Sequence, residues 1–188
     1  DQPAGVTPYN SELPIGKYSY RIQKELYQND AGMVELVSGQ QKKKIESKLK
    51  PNFGTVQVTT TPENGATVKL NGMETGKTTP CTLERVPAGQ HTLSASLSMY
   101  ATATQQFTMQ AGETLPVSIT LKPSFAGVTI KTIPAADIYV NGAMKGNGLW
   151  QGRLNPGIYT FEAKLDKHTT ATEQRTVVIG EPLELTLQ

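Results

Sequence analysis

The sequence has few of the residue types that usually carry out chemistry. Among 188 residues it contains one cysteine, one tryptophan and two histidines. The single Cys81 excludes an intramolecular disulfide, so folding must rest on an apolar core and on strand ladders. No apolar run approaches the roughly 18 residues that a membrane-spanning helix needs. We therefore predict no enzymatic activity, no catalytic residue, no metal site, no cofactor and no transmembrane segment in this chain.

Charge of either sign is also scarce. Charged residues make up 18% of the chain and the net charge is +2, without the basic excess of a nucleic-acid-binding protein. We therefore predict no nucleic-acid partner. The length of 188 residues allows one sandwich-sized domain or a few small ones. The chain starts at Asp1-Gln2-Pro3 without an initiator methionine, and we expect an upstream sequence that it does not include.

Glycine and proline, by contrast, are plentiful and recur at matching positions. The phrase Leu-Lys-Pro-x-Phe ends at Phe53 and returns 72 positions later at Phe125. Other matching sets are Asn71-Gly72 with Asn141-Gly142; Gly16, Gly89 and Gly157; Tyr27, Tyr100 and His168; and Gly39, Gly112 and Gly180. A period near 70 residues is longer than the roughly 20–50 residues of solenoid repeats. We predict a partial unit at 1–51, equivalent to the back half of the repeat, and complete units at 52–122 and 123–188.

Within the complete units, apolar residues alternate with polar ones, which indicates half-buried antiparallel strands. Asn71-Gly72 and Asn141-Gly142 supply the positive φ of tight hairpins. Only Asp30–Gln41 raises the question of a helix, and Gly32 and Gly39 disfavour one. We predict an all-β chain of tandem small antiparallel β-sandwiches, with about six or seven strands in a complete unit and the first unit incomplete at its N-terminus.

One segment resembles a phosphate-binding loop. Gly72–Thr78 reads Gly-Met-Glu-Thr-Gly-Lys-Thr, one residue short of the required spacing, and Pro80 follows where a helix would have to begin. A β-hairpin is the better interpretation.

The remaining candidate residues stand alone. His91 and His168 occupy non-equivalent positions without a second ligand nearby, so we interpret both as ordinary strand or surface residues. Cys81 lacks an adjacent basic residue and is predicted to be a small buried thiol. The few aspartates form no calcium-loop pattern.

Two further features favour structural roles. Lys42–Lys50 places Ile45, Ser47 and Leu49 on one face of a predicted strand and lysines on the other, solvated face, with a polyanion or phospholipid contact as the alternative. Trp150 is interpreted as a core residue at the end of a sandwich, with a sugar-stacking platform as the alternative.

As a set, these motifs resemble the PEGA domain. The named motif is present as Pro62-Glu63-Gly65-Ala66 with Asn64 inserted, followed by Leu70-Asn71-Gly72 and Val86-Pro87-Ala88-Gly89. The last unit departs from it, with Pro134-Ala135-Ala136-Asp137 at this point and Gly148-Leu149-Trp150 in place of the Thr-Pro turn. The resemblance implies a small β-sandwich module of bacterial envelope or secreted proteins, typically in tandem and without catalytic residues.

From this resemblance we predict a non-catalytic, extracytoplasmic array that serves as a spacer, adhesion or protein-interaction module in the bacterial cell envelope. Other envelope proteins or flanking domains of the same polypeptide are the expected partners, with strand pairing through the incomplete first unit. Two alternatives stay open at this point, a module that binds cell-wall polysaccharide or peptidoglycan and a non-catalytic fragment of a larger envelope enzyme.

Overall fold

The computed structural model describes residues 3–37 and 42–188, and Gly39 lies outside them. Every helix or strand that it assigns in these residues is a β-strand, so the predicted all-β fold is confirmed. The segment in which a helix was disfavoured forms the strand Asp30–Leu36.

The strands, in chain order, are β1 (Gly16–Ile22), β2 (Asp30–Leu36), β3 (Phe53–Thr61), β4 (Thr67–Leu70), β5 (Met73–Thr78), β6 (Cys81–Pro87), β7 (Gly89–Ser96), β8 (Tyr100–Ala101), β9 (Ala103–Met109), β10 (Thr114–Thr120), β11 (Lys122–Pro123), β12 (Ala126–Thr132), β13 (Asp137–Val140), β14 (Ala143–Asn147), β15 (Leu149–Leu154), β16 (Gly157–Lys164), β17 (Ala171–Val177) and β18 (Leu183–Leu187).

Two sheets enclose a first core. Their strand orders are β10-β3-β6 and β5-β4-β7-β9. Alternating residues of both sheets turn inward, as the period of two predicts. The buried residues of this first core are Val56, Val58, Ala66, Val68, Leu83, Val86, Leu93, Ala95, Tyr100, Met109, Val117, Ile119 and Leu121.

A second core repeats this arrangement. Its sheets have the orders β15-β12-β18 and β14-β13-β16-β17. Its buried residues are Ala126, Val128, Ile130, Ala136, Ile138, Val140, Phe161, Ala163, Val177, Leu185 and Leu187. The domain boundaries predicted at 51/52 and 122/123 precede β3 and β12 respectively, and they stay predictions.

Two pairings differ from the expected antiparallel pattern. β3 pairs in parallel with β10, and β12 pairs in parallel with β18. The remaining ladders are antiparallel. Apolar alternation shows which face of a strand is buried but not the direction of its neighbour, so the sequence could not show that the first and last strands of each core lie side by side.

The predicted hairpins form at the Asn-Gly pairs. Asn71 and Gly72 have φ of 51° and 80° between β4 and β5, and Asn141 and Gly142 have φ of 49° and 77° between β13 and β14. Positive φ at both central residues is the conformation that favours Asn-Gly in two-residue turns.

Within residues 3–37, strands β1 and β2 form an antiparallel hairpin, which we call the opening hairpin. The strand predicted at Lys42–Lys50 is wrong, because the structure has no regular element there. The matching segment of the first core is β10, which forms its ladder against β3. Within residues 3–37 no strand corresponds to β3, so Lys42–Lys50 has no partner of that kind.

Candidate functional site

The phosphate-loop-like segment is part of a hairpin. Gly72 lies in the turn and the following residues form β5, whose Lys77 ammonium donates to the Thr82 carbonyl, 2.5 Å away. A turn follows β5, and the chain then enters strand β6 at Cys81, where a phosphate-binding loop would require a helix. The arrangement therefore offers no set of helix N-terminal amides for a phosphate.

His91 is buried in β7 and both of its ring nitrogens have partners. Nε2 lies 2.8 Å from the Pro87 carbonyl oxygen, and Nδ1 lies 2.9 Å from the Asn71 amide nitrogen. The Asn71 side-chain oxygen accepts from the Thr92 amide, which fixes the orientation of its side-chain amide. These bonds indicate that Nε2 donates and Nδ1 accepts, so His91 ties the β4–β5 turn to β7.

A shallow groove of about 380 Å³ runs beside His91. It is lined by amide and hydroxyl groups of β7 and β9 and by the rings of Phe107 and His91, which stack with 5.5 Å between centroids. The residues that line it are Asn71, Gln90, His91, Thr92, Gln106, Phe107 and Thr108.

The other candidate residues lie apart from this groove. His168 is exposed in a turn after β16, with Nδ1 2.9 Å from the Asp166 carbonyl oxygen. Cys81 is half-buried on β6, and burial raises the pKa of its thiol, a trend that Lys77 only partly opposes. In the part of the chain that the structure describes, no group of three or more His, Cys, Asp or Glu side chains could hold a metal ion.

Trp150 is half-buried on β15 and packs against the second core. Its ring occupies the space in which a Cβ at Gly152 would lie. Trp150 therefore packs at the margin of the second core, without being one of its fully buried residues.

The most elaborate polar site lies where the chain passes from the first core to the second, and we call it the second joint. Here β11 pairs antiparallel with β8, so that Pro123 stands opposite Tyr100. The Ser124 amide donates to the carbonyl of Met99, 2.9 Å away. Met99 has a φ of 65° in a turn where the Tyr100 amide donates to the Leu97 carbonyl. The linker is thus hydrogen-bonded to the first core along its length.

Side chains close the second joint. The rings of Tyr100 and Phe125 meet edge to face, with 5.6 Å between centroids and an interplanar angle of 82°. The guanidinium of Arg153 lies 4.6 Å from the centroid of Phe125, within the range of a cation–π contact. Arg153 Nη2 also lies 2.7 Å from Glu63 Oε1.

This cluster shifts the pKa of its acidic groups. Hydrogen bonds from Arg153 and then from Tyr100 lower the pKa of Glu63. Burial, followed by the hydrogen bond to Glu63, raises the pKa of the Tyr100 hydroxyl. Glu63 is therefore an anion at neutral pH, held by one residue of its own region and one from the second core.

A first joint connects the opening hairpin to the first core. Tyr27 forms an antiparallel bridge with Pro51. The Asn52 amide donates to the Leu26 carbonyl at 2.8 Å, and the Gln28 amide donates to the Lys50 carbonyl at 2.9 Å. Leu26 has a φ of 64°, close to that of Met99 in the second joint.

The first joint contains the same three side-chain types as the second joint: a tyrosine, a phenylalanine and an arginine. Tyr27 and Phe53 meet edge to face at 6.0 Å and 79°. The guanidinium of Arg85 lies 5.1 Å from the centroid of Phe53. Within residues 3–37 and 42–188 no ion pair forms to Arg85.

Sequence reasoning marked four of the six tyrosine, phenylalanine and arginine positions of the two joints. The repeat comparison marked both tyrosines and both phenylalanines as matching landmarks, but assigned them no role. It missed Arg85 and Arg153, which stand 68 positions apart, the same spacing as Gly89 and Gly157. The register of the repeat was therefore a usable signal for the arginines.

The fold and these joints define a class, that of small β-sandwich modules joined by short, hydrogen-bonded linkers. Residues 53–124 match the family model of the PEGA domain, so the chain contains a PEGA domain. No helix in the described residues is long and apolar enough to cross a membrane.

No curated protein matches the chain. Among solved structures it is similar to the Bacillus anthracis TIE protein, with 18% identity, a TM-score of 0.40 and coverage of 93% of this chain and 41% of that one. It is also similar to a streptococcal ancillary pilin, with 12% identity, a TM-score of 0.35 and coverage of 94% and 76%. The chain thus spans 41% of the length of the TIE protein.

Proposed function

We propose that this chain is a non-catalytic, extracytoplasmic module that acts as a spacer, or as an adhesion or protein-interaction element, in the bacterial cell envelope. The observation that carries the proposal is the PEGA domain at residues 53–124, since this family consists of structural modules without catalytic residues. The joints support it, because a spacer needs neighbouring modules that keep their separation and orientation.

Localisation of the native protein tests this proposal. Cells that express the natural full-length reading frame are fractionated, and intact cells are treated with protease. We expect the protein in the envelope fraction, with cleavage when the outer barrier is opened or absent. Recovery in the cytosol with a soluble metabolite bound would overturn the proposal. The same reading frame shows whether an enzymatic domain flanks the module.

The groove beside His91 supports a second candidate, a module that binds cell-wall polysaccharide. Amide and hydroxyl groups next to rings are the chemistry by which proteins hold sugars, and the groove has such groups beside the rings of Phe107 and His91. Retention on purified peptidoglycan tests it. Gln106→Ala, which removes a lining amide, should reduce retention, whereas Gln105→Ala on the opposite face of β9 should not. Equal, negligible retention of all three proteins would exclude this candidate.

A further inference from the structure

The two joints are alike in more than their location. In each joint, a tyrosine that follows a positive-φ residue contacts a phenylalanine that follows the sequence Lys-Pro-x. An arginine from the core that follows the joint lies over the ring of that phenylalanine. The equivalent positions are Tyr27 and Tyr100, Phe53 and Phe125, and Arg85 and Arg153. Two joints with the same three side-chain types and the same backbone hydrogen bonds indicate a defined interface.

This interface restrains rotation. A two-residue ladder such as β8–β11 fixes the separation of two modules but leaves them free to twist about the linker. The Tyr100–Phe125 contact and the Arg153 guanidinium add a second set of contacts beside the ladder. A change of relative orientation would therefore have to break both sets.

Glu63 adds a third attachment at the second joint. It belongs to the Pro-Glu-x-Gly-Ala motif between β3 and β4 of the first core, and it reaches Arg153 on β15 of the second core. Both partners from the first core, Glu63 and Tyr100, differ at the matching positions of the last unit, where Ala135 and His168 stand.

We propose that the Tyr–Phe–Arg cluster is a repeated clamp that holds each module at a fixed orientation to the next, and that the motif glutamate Glu63 closes it by pairing with Arg153. The partner of this surface is another module of the same kind, one that presents Lys-Pro-x-Phe before its first strand or at its start and an arginine on its fourth strand, as β6 and β15 do. This inference deepens the spacer role and rests on it for its biological meaning.

Amide relaxation and residual dipolar couplings of the ¹⁵N-labelled full chain test the clamp. In the unsubstituted protein, the amides of both cores should fit one common alignment tensor and one rotational diffusion tensor. Arg153→Ala should abolish the common fit while the cross-peaks within each core keep their dispersion, because Arg153 is 48% exposed and is not a core residue. Glu63→Gln should give a smaller loss, since it leaves the ring contact in place.

Arg175→Ala is the matched control. Arg175 is similarly exposed and pairs with Glu173 on the same strand, so its loss should leave the common tensor intact. Separate tensors in the unsubstituted protein, or a common tensor that survives Arg153→Ala, would overturn the clamp. Neither result depends on where the protein resides in the cell, so failure of the clamp is distinguishable from failure of the proposed function.

Discussion

The opening hairpin and the β7–β9 pair of the first core are equivalent strand pairs in two settings. Gly16 pairs with Leu36 in one and Gly89 with Met109 in the other, each position shifted by 73 residues. Leu93 of β7 is fully buried, whereas the matching Tyr20 of β1 is only half-buried. The difference arises because β7 also pairs with β4 and is covered by the sheet β10-β3-β6. Local sequence therefore determines the hairpin, and the opposing sheet determines its burial.

The basic segment Lys42–Lys50 extends this comparison. Its counterpart β10 pairs in parallel with β3 along its whole length. The opening region has the alternating residues of a strand but no such partner among its described residues, and no strand forms. A strand whose ladder depends on a remote partner needs that partner as well as its own apolar pattern.

The largest expected effect is the loss of stability when matched residues of the first core and the opening hairpin are truncated. Leu93→Ala should destabilise the first core by about 2–5 kcal/mol, because it removes a fully buried side chain and leaves a cavity. Tyr20→Ala should cost less than about 1.5 kcal/mol, since less apolar area is withdrawn from water there. Urea unfolding followed by the NMR cross-peaks of each region measures both, with the second core as internal reference. Equal losses at the two positions would show that the opening hairpin is as well covered as β7.

Much of this architecture was predictable. The alternation at Val56 and Val58 and the Asn-Gly pairs predict strands and hairpins because these signals are local. The parallel neighbours β3 and β10 are separated by the length of a module, and no local pattern encodes their direction. The candidate site was harder still, because Glu63, Tyr100 and Arg153 belong to separate elements of two cores and lie far apart in the sequence.

A second prediction concerns the close packing between β3 and the turn before β10, a contact for which the opening hairpin has no counterpart among the described residues. Gly54 lies on β3 against the turn that leads into β10, and a Cβ there would lie 2.6 Å from the Glu113 carbonyl oxygen and would overlap the Met109 sulfur. Gly54→Ala should therefore destabilise the first core by about 1–3 kcal/mol through overpacking. At the matching positions of the second core stand Ala126, which is larger than Gly54, and Val177, which is smaller than Met109, and both are buried.

A double-mutant cycle tests whether a smaller residue at Met109 offsets the volume added by Gly54→Ala. Met109→Val should recover part of the loss caused by Gly54→Ala, but not all of it, because the contact with the Glu113 backbone persists. Gly127→Ala is the control, since nothing lies within 4 Å of a Cβ at that position, and it should change stability by less than about 1 kcal/mol. Strict additivity of the two substitutions would refute the proposed exchange between Gly54 and Met109.

The smallest expected effect is a difference between the two joints in their response to acid. The hydrogen bonds from Arg153 and Tyr100 hold the pKa of Glu63 below its ordinary value of 4.5. A carboxylate with a lowered pKa contributes its full stabilisation above the ordinary value and loses it as the pH falls through the lowered one. The second joint should therefore weaken in acid, whereas the first joint has no ion pair to Arg85 in the described chain. The change should be small, because both partners are partly exposed and water and salt screen them.

Carbon-13 titration of the Glu63 carboxyl, together with the ring-proton shifts of Phe125 and Phe53, tests this difference. The Phe125 ring lies under Arg153 and should report the protonation of Glu63, while the Phe53 ring lies under Arg85 and should not follow it. In Glu63→Gln the Phe125 response should vanish, because no proton is taken up at that position. A Glu63 midpoint at or above 4.5, or a Phe125 ring that ignores the titration, would mean that the glutamate does not close the joint and that the two joints depend on their rings and arginines alone.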